Sequence, residues 1–159
     1  MNLTAVSLTI VIVAIFVAAV LYGRGPSSRT ERLCRLFNLD PSEYDLIGSD
    51  LGGSEDKVFF QADGIVGAPD AVFRRKADGT IVVGEAKRRS FRGALTAYEH
   101  NQLTLYLGLA HRKYRTGVRG LMHYGCGSVV PVPPDGKLYR ELLSLIPEYR
   151  RVSQRLRLM

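Results

Sequence analysis

Asp70, Glu85 and Lys87 are residues whose types and spacing could do chemistry together. They lie within residues 67–87, GAPDAVFRRKADGTIVVGEAK. Asp78-Gly79 sits between two apolar-rich runs, and such a pair favours a two-residue hairpin because both central residues tolerate φ > 0. A tight turn pairs Ala77 with Thr80, Val72 with Glu85 and Asp70 with Lys87. Directly opposed residues share a face of a sheet, as do residues two apart on one strand. The three charged side chains then converge within about 5–8 Å on one face. A loop longer by two residues keeps this parity, whereas one longer by a single residue destroys it. Two carboxylates and a lysine so arranged suit a divalent cation and an activated water.

The elements that must position these residues follow from periodicity. A helix is predicted from Ser28, with Glu31 three residues on as in a capping box, the stripe Leu33, Leu36 and Phe37, and a stop at Asp40-Pro41. Glu31 has two readings, as the capping partner or as a further carboxylate of the metal shell. Residues 42–57 read as a loop with a short extended piece at 44–47, and residues 58–62 (VFFQA) open the sheet. The arms of the hairpin are 67–75 and 80–88. A helix then covers roughly 94–114, with Leu95, Tyr98, Leu105, Tyr106 and Leu109 marking its apolar stripe. Gln102 lies within that stripe, and a polar amide there must be hydrogen-bonded or line a wet cavity. Tyr106, one turn on, can bring its hydroxyl to the same place. Strands at 118–124 and 128–132 and a helix at 137–146, broken at Pro147, complete an α/β chain with a mixed central sheet.

Charge divides the chain. Residues 1–23 carry no Lys, Arg, Asp or Glu, so the net charge of +7 belongs to the remainder, which suits an anionic partner. Residues 3–22 are long and apolar enough for a transmembrane helix, while a cleaved signal peptide fits less well because no basic n-region precedes the run. Arg24, Arg29 and Arg32 follow the segment, so the positive-inside rule predicts a single-pass cytoplasmic membrane anchor with the C-terminal domain facing the cytoplasm. Residues 23–29 form a linker, 30–147 the domain, and 148–159 a basic tail. Cys34 and Cys126 are too few for a four-cysteine cluster and read as reduced thiols.

Pro69-Asp70 followed by Glu85-Ala86-Lys87 resembles the motif that names the PD-(D/E)XK nuclease superfamily, and Gln102 to Tyr106 (QLTLY) resembles the Q-x-x-x-Y signature of its RecB-like branch. The resemblance spans about residues 30–132 and implies a restriction-endonuclease-like core. It implies that Asp70, Glu85 and the Ala86 carbonyl hold Mg²⁺ (or Mn²⁺), with Lys87 serving the attacking water and Gln102 and Tyr106 orienting the strand or the lysine. Arg88, Arg89 and Arg92, just past Lys87, would hold phosphates of DNA. The sequence departs from relatives with an upstream metal-binding histidine, since His100, His111 and His123 all follow Glu85. Neither an iron–sulfur cluster nor a nucleotide cofactor is expected, and any processive activity would need a protein partner of unknown kind. The expectation is a membrane-anchored, metal-dependent deoxyribonuclease. Its alternatives are a catalytically silent, tethered DNA-binding or assembly module, and a scaffold in which Asp70 and Lys87 form an ordinary cross-strand ion pair.

Overall fold

The computed structural model describes residues 28–52 and 56–157. The chain runs α1 (Arg29–Leu36), β1 (Tyr44–Ser49), β2 (Phe60–Ala62), β3 (Ile65–Gly67), β4 (Ala71–Arg75), β5 (Ile81–Lys87), α2 (Ala97–Tyr114), β6 (Val118–Tyr124), β7 (Val129–Val132), α3 (Gly136–Ser144) and α4 (Ile146–Arg157). Five strands form one mixed sheet in the order β1-β4-β5-β6-β7, and β2 pairs with β3 in a separate ribbon. Only β5 and β6 are parallel, and parallel neighbours need a crossover, which α2 supplies.

Helices cover both faces of the sheet, so its central strand is apolar almost throughout, as IVVG at residues 81–84 shows. Ile81 and Val83 point with Val72 and Met122 toward Leu103, Leu107 and Ala110 of α2. Val82 points the other way, with Ala71, Phe73 and Leu121, toward Leu33, Cys34 and Phe37 of α1. Alternation along β5 therefore carries Glu85 and Lys87 to the α2 side.

Several sequence expectations change. The strand that joins β4 is 44–49, not 58–62: β1 is the sheet edge, and residues 60–62 turn back on 65–67 instead. Gly48 makes this possible, because a Cβ there would lie 2.3 Å from the Asp56 carbonyl oxygen, so the 56–58 segment can cross close to the strand. The first arm of the hairpin is split at Pro69-Asp70, where neither residue is in a strand. The helix expected from 94 starts at Ala97, because Thr96 and Glu99 form a reciprocal capping box. Its buried face holds Leu103, Leu107 and Ala110 beside the expected Leu109, whereas Tyr98 is exposed and Leu105 half-buried. Pro147 does not end the helical region. It sits in the first turn of α4, where a missing N–H costs nothing. Cys34 and Cys126 are both free thiols. Among the described residues no helix is long and apolar enough to cross a membrane. The anchor expected at residues 3–22 lies outside the described residues.

Candidate active site

The hairpin turn is longer than a two-residue turn. Arg75 donates its N–H to the Thr80 carbonyl, and Gly79 closes the loop at φ +73° with its N–H on the Arg75 carbonyl. The loop is thus four residues, 76–79, and Val72 faces Val83 rather than Glu85. Continuing outward from Ala71–Gly84 brings Asp70 alongside Glu85 rather than Lys87. The shift is two residues, so parity survives and the three charged groups share one face.

Beyond the end of β4 the backbone of β5 loses a strand partner. There the Ala86 N–H donates instead to Asp70 Oδ2 at 2.7 Å. The Asp70 carbonyl in turn accepts the Ser49 hydroxyl at 2.6 Å and the Asp50 N–H at 3.0 Å. Arg29 holds that corner by donating to the carbonyls of Ser49 at 3.0 Å and Leu51 at 3.3 Å. Sequence reading missed Ser49 and Arg29 as positioning groups. A serine ending a strand and an arginine opening a helix carry no signal until the chain folds.

Lys87 is the hub of the site. Its ammonium donates to Glu85 Oε1 at 2.9 Å and to Gln102 Oε1 at 2.9 Å, while Gln102 Nε2 donates to the same Glu85 oxygen at 2.8 Å. Gln102 Nε2 also reaches the Tyr106 hydroxyl at 3.3 Å. One turn of α2 separates Gln102 from Tyr106, so both meet the end of β5 from one side. The lysine's ion pair is thus with Glu85, not the cross-strand pair with Asp70. Burial pushes the Asp70 and Glu85 carboxyls above the usual carboxylate range; the Ala86 N–H opposes this at Asp70 and the Lys87 hydrogen bond opposes it at Glu85. Burial likewise raises the Tyr106 phenol.

The ring of Tyr106 lies against a glycine. A Cβ on Gly67 would stand 2.5 Å from the ring, so strand β3 closes the pocket only because position 67 has no side chain. Gly67→Ala is expected to overpack this contact and to lower stability by about 1–3 kcal/mol. Urea denaturation reads the change; an unaltered midpoint would mean that the ring has room to move.

A cation fits the donors present. Asp70 Oδ2 is occupied by Ala86, and Glu85 Oε1 by Lys87 and Gln102. Glu85 Oε2 is buried with no hydrogen-bond partner among the described residues, a costly state for a carboxylate. Hard oxygen donors from one or two carboxylates, completed by water, match Mg²⁺ or Mn²⁺. Among the described residues no cluster of three or more His, Cys, Asp or Glu could hold a metal. Ala86 is placed through its N–H on Asp70. Glu31 is elsewhere: its N–H meets the Ser28 hydroxyl at 3.2 Å, and its carboxylate lies 3.8 Å from Arg35, on the helix that packs against the opposite face.

The three arginines expected on phosphates do not act alike. Arg88 and Arg92 are exposed. Arg89 grips the buried Glu99 with two hydrogen bonds, at 2.8 and 2.5 Å, and lies 4.8 Å over the Tyr124 ring. Glu99 also accepts the Tyr124 hydroxyl at 3.2 Å and the Thr96 N–H at 2.9 Å. Arg89 is therefore a clamp between the end of β5 and the start of α2, because its charge neutralises a carboxylate that is 3% exposed. The motif alone could not show this, since nothing in the sequence ties Arg89 to a glutamate on the following helix.

Fold and site together define an α/β domain with a buried glutamate, a half-buried aspartate, a lysine and a helix-borne amide at the end of a central strand. No protein-family model matches the chain, and no curated protein does either. The chain is similar to a solved structure titled "Crystal structure of SSO0001", at 18% identity and a TM-score of 0.43. The alignment covers 93% of this chain and 65% of the other, so this chain spans somewhat under two thirds of its length. Similarity at that level says nothing about activity.

Proposed function

We propose that the chain is a metal-dependent phosphodiesterase of the PD-(D/E)XK type, with a restriction-endonuclease-like core, acting on DNA from a membrane tether. One observation carries the reading: Lys87, Gln102 and Glu85 form a closed hydrogen-bonded triangle that leaves the second oxygen of the buried Glu85 without a partner among the described residues. An ordinary ion pair needs no amide from another element and does not strand a carboxylate oxygen in the interior.

Asp70 Oδ1 and Glu85 Oε2 would hold Mg²⁺ or Mn²⁺, with the Ala86 carbonyl as a further oxygen. When bound, the cation supplies Lewis-acid chemistry, acidifying a water and offsetting charge in the transition state. Lys87 uses two of its three N–H donors on Glu85 and Gln102, which leaves one for the attacking water or a phosphate oxygen. Gln102 fixes the direction of that donor, and Tyr106 fixes Gln102. Arg88 and Arg92 lie on the exposed path past the site and are suited to phosphates. The test is incubation of the full-length chain, in detergent, with single- and double-stranded DNA, with and without Mg²⁺ or Mn²⁺. Cleavage only with metal supports the reading. Binding without cleavage under every metal favours the silent tethered module.

The raised Asp70 and Glu85 carboxyls give a second check. A carboxyl raised by folding contributes stability that is fully present below its unfolded pKa and lost as pH rises through its folded one. At neutral pH the metal-free protein therefore carries an electrostatic cost at Asp70 and Glu85, and Asp70→Asn is expected to be more stable, by a margin that grows with pH across the acidic range. Adding cation at about tenfold its dissociation constant should stabilise the wild type by about 1.4 kcal/mol and leave Asp70→Asn nearly unmoved. Thermal unfolding across pH, with and without Mg²⁺, measures both; equal metal shifts in the two proteins would remove Asp70 from the cation site.

A further inference from the structure

Tyr98 is 71% exposed although it stands one turn before Gln102, with the Lys87 ammonium 5.8 Å from its ring centroid. A packed core has no use for a tyrosine in that position. Beside it, a groove of about 310 Å³ opens from Gln102 and Tyr106 between α2 and β3, walled by Ile65, Val66 and Leu105, with the Asn101 amide at its side. Val66 is 60% exposed, so the groove has a bare apolar wall. Ile65, Val66 and Leu105 also wall a second cavity of about 460 Å³ that continues toward Tyr149, itself 73% exposed, and Arg150. Two exposed tyrosines thus bracket two adjoining apolar grooves with three shared walls, and this channel opens at Gln102, the residue that accepts from Lys87.

We infer that this channel receives unpaired nucleobases of the substrate strand, with Tyr98 as a stacking platform beside the scissile phosphate and Tyr149 as a second one further along. The inference rests on the nuclease reading for the position of the phosphate. An apolar wall, a flat aromatic face and an amide suit a base, whose faces are apolar and whose edge carries donors and acceptors. A base in a duplex is already stacked and paired, so the substrate is a single-stranded segment or a frayed end. Arg150 and the exposed Arg88 and Arg92 would follow the backbone outside the channel.

The experiment uses the full-length chain in detergent with chelator, so that binding is read without cleavage. The probe is a short single-stranded oligodeoxynucleotide carrying a fluorescent adenine analogue that is quenched on stacking. Wild type should quench the probe, Tyr98→Phe should match it, and Tyr98→Ala should bind on the order of tenfold more weakly. Tyr149→Ala should weaken a long strand and leave a dinucleotide unaffected. The same sequence as a duplex should compete poorly. Because both tyrosines are exposed, the variants are expected to keep the wild-type unfolding temperature. Equal quenching by Tyr98→Ala, or equal competition by duplex, overturns the inference. So does a dimer that Val66→Lys dissolves while the wild type leaves the probe unquenched, since the groove would then be filled by a second copy. Parallel cleavage assays with Mg²⁺ separate the two readings. Cleavage with a Tyr98-independent probe signal leaves the nuclease standing and removes the channel. Tyr98-dependent quenching without cleavage supports the channel and removes the nuclease.

Discussion

Lys87→Ala is expected to reduce metal-dependent cleavage by about 10²–10⁴-fold, the range for losing a positioned acid–base or charge-stabilising group. Glu85 and Gln102 hold the ammonium at 2.9 Å each, so the side chain is fixed before any substrate arrives. On the proposed reading, removing it deletes the donor left for the reacting phosphate; it also raises the Glu85 carboxyl further, because the Lys87 hydrogen bond is the main influence now lowering it. Glu85→Gln should lose at least as much activity by a different route. It keeps one oxygen for Lys87 and replaces the unpartnered Oε2 by an amide nitrogen, which cannot ligate a hard cation. The two variants are told apart by binding rather than by rate. Thermal stabilisation by Mg²⁺ should persist in Lys87→Ala and disappear in Glu85→Gln. Single-turnover cleavage supplies the rates. A Lys87→Ala protein that cleaves at the wild-type rate would falsify the assignment of Lys87 to the reaction.

Glu99→Ala has the second large effect, and it acts on the scaffold. Glu99 closes the capping box of α2, pairs with Arg89 and accepts the hydroxyl of the fully buried Tyr124. Losing it leaves the Tyr124 hydroxyl without its acceptor, which alone costs about 1–3 kcal/mol, and uncaps the helix at a cost of about another 1 kcal/mol. The consequence for the site is geometric. Arg89 lies two residues after Lys87 and Glu99 three before Gln102, so their bond sets the distance between strand end and helix start. Without it Gln102 should lose its grip on Lys87, and cleavage should fall along with stability. Denaturant midpoints and cleavage rates measured on the same preparation would show both; a variant that unfolds early yet cleaves normally would remove the positioning role. The pH dependence has a definite sign. Arg89 holds the Glu99 carboxyl down at about 2, against an ordinary 4.5. A depressed carboxyl contributes stability that is present above its unfolded pKa and lost as pH falls through the folded one, so this contribution disappears between about pH 4.5 and 2. Glu99→Ala should flatten the stability curve in that window.

The sequence by itself determined that the two carboxylates and the lysine share one face, because side-chain direction in a strand has a period of two. That period is indifferent to whether the loop at Asp78-Gly79 holds two residues or four. It also determined that Gln102 must find polar company, since an amide on an apolar helix stripe cannot stay unpaired. Tertiary structure decided the rest. The register moved by two because Arg75 pairs with Thr80, and Lys87 took Glu85 rather than Asp70 as its partner. The buried stripe of α2 kept Leu109 but gained Leu103, Leu107 and Ala110, because the helix packs on the sheet with that side and leaves Tyr98 outside. Strand β1 joined the sheet although its residues offered only a short extended piece at 44–47 within a loop, since its partners across the ladder, from Tyr44↔Arg75 to Ser49↔Ala71, lie far downstream and propensity is local. Arg89 left the company of Arg88 and Arg92 for the same reason. A charge has no preference in sequence between a phosphate and a buried carboxylate, and only folding brings Glu99 within 2.5 Å of it.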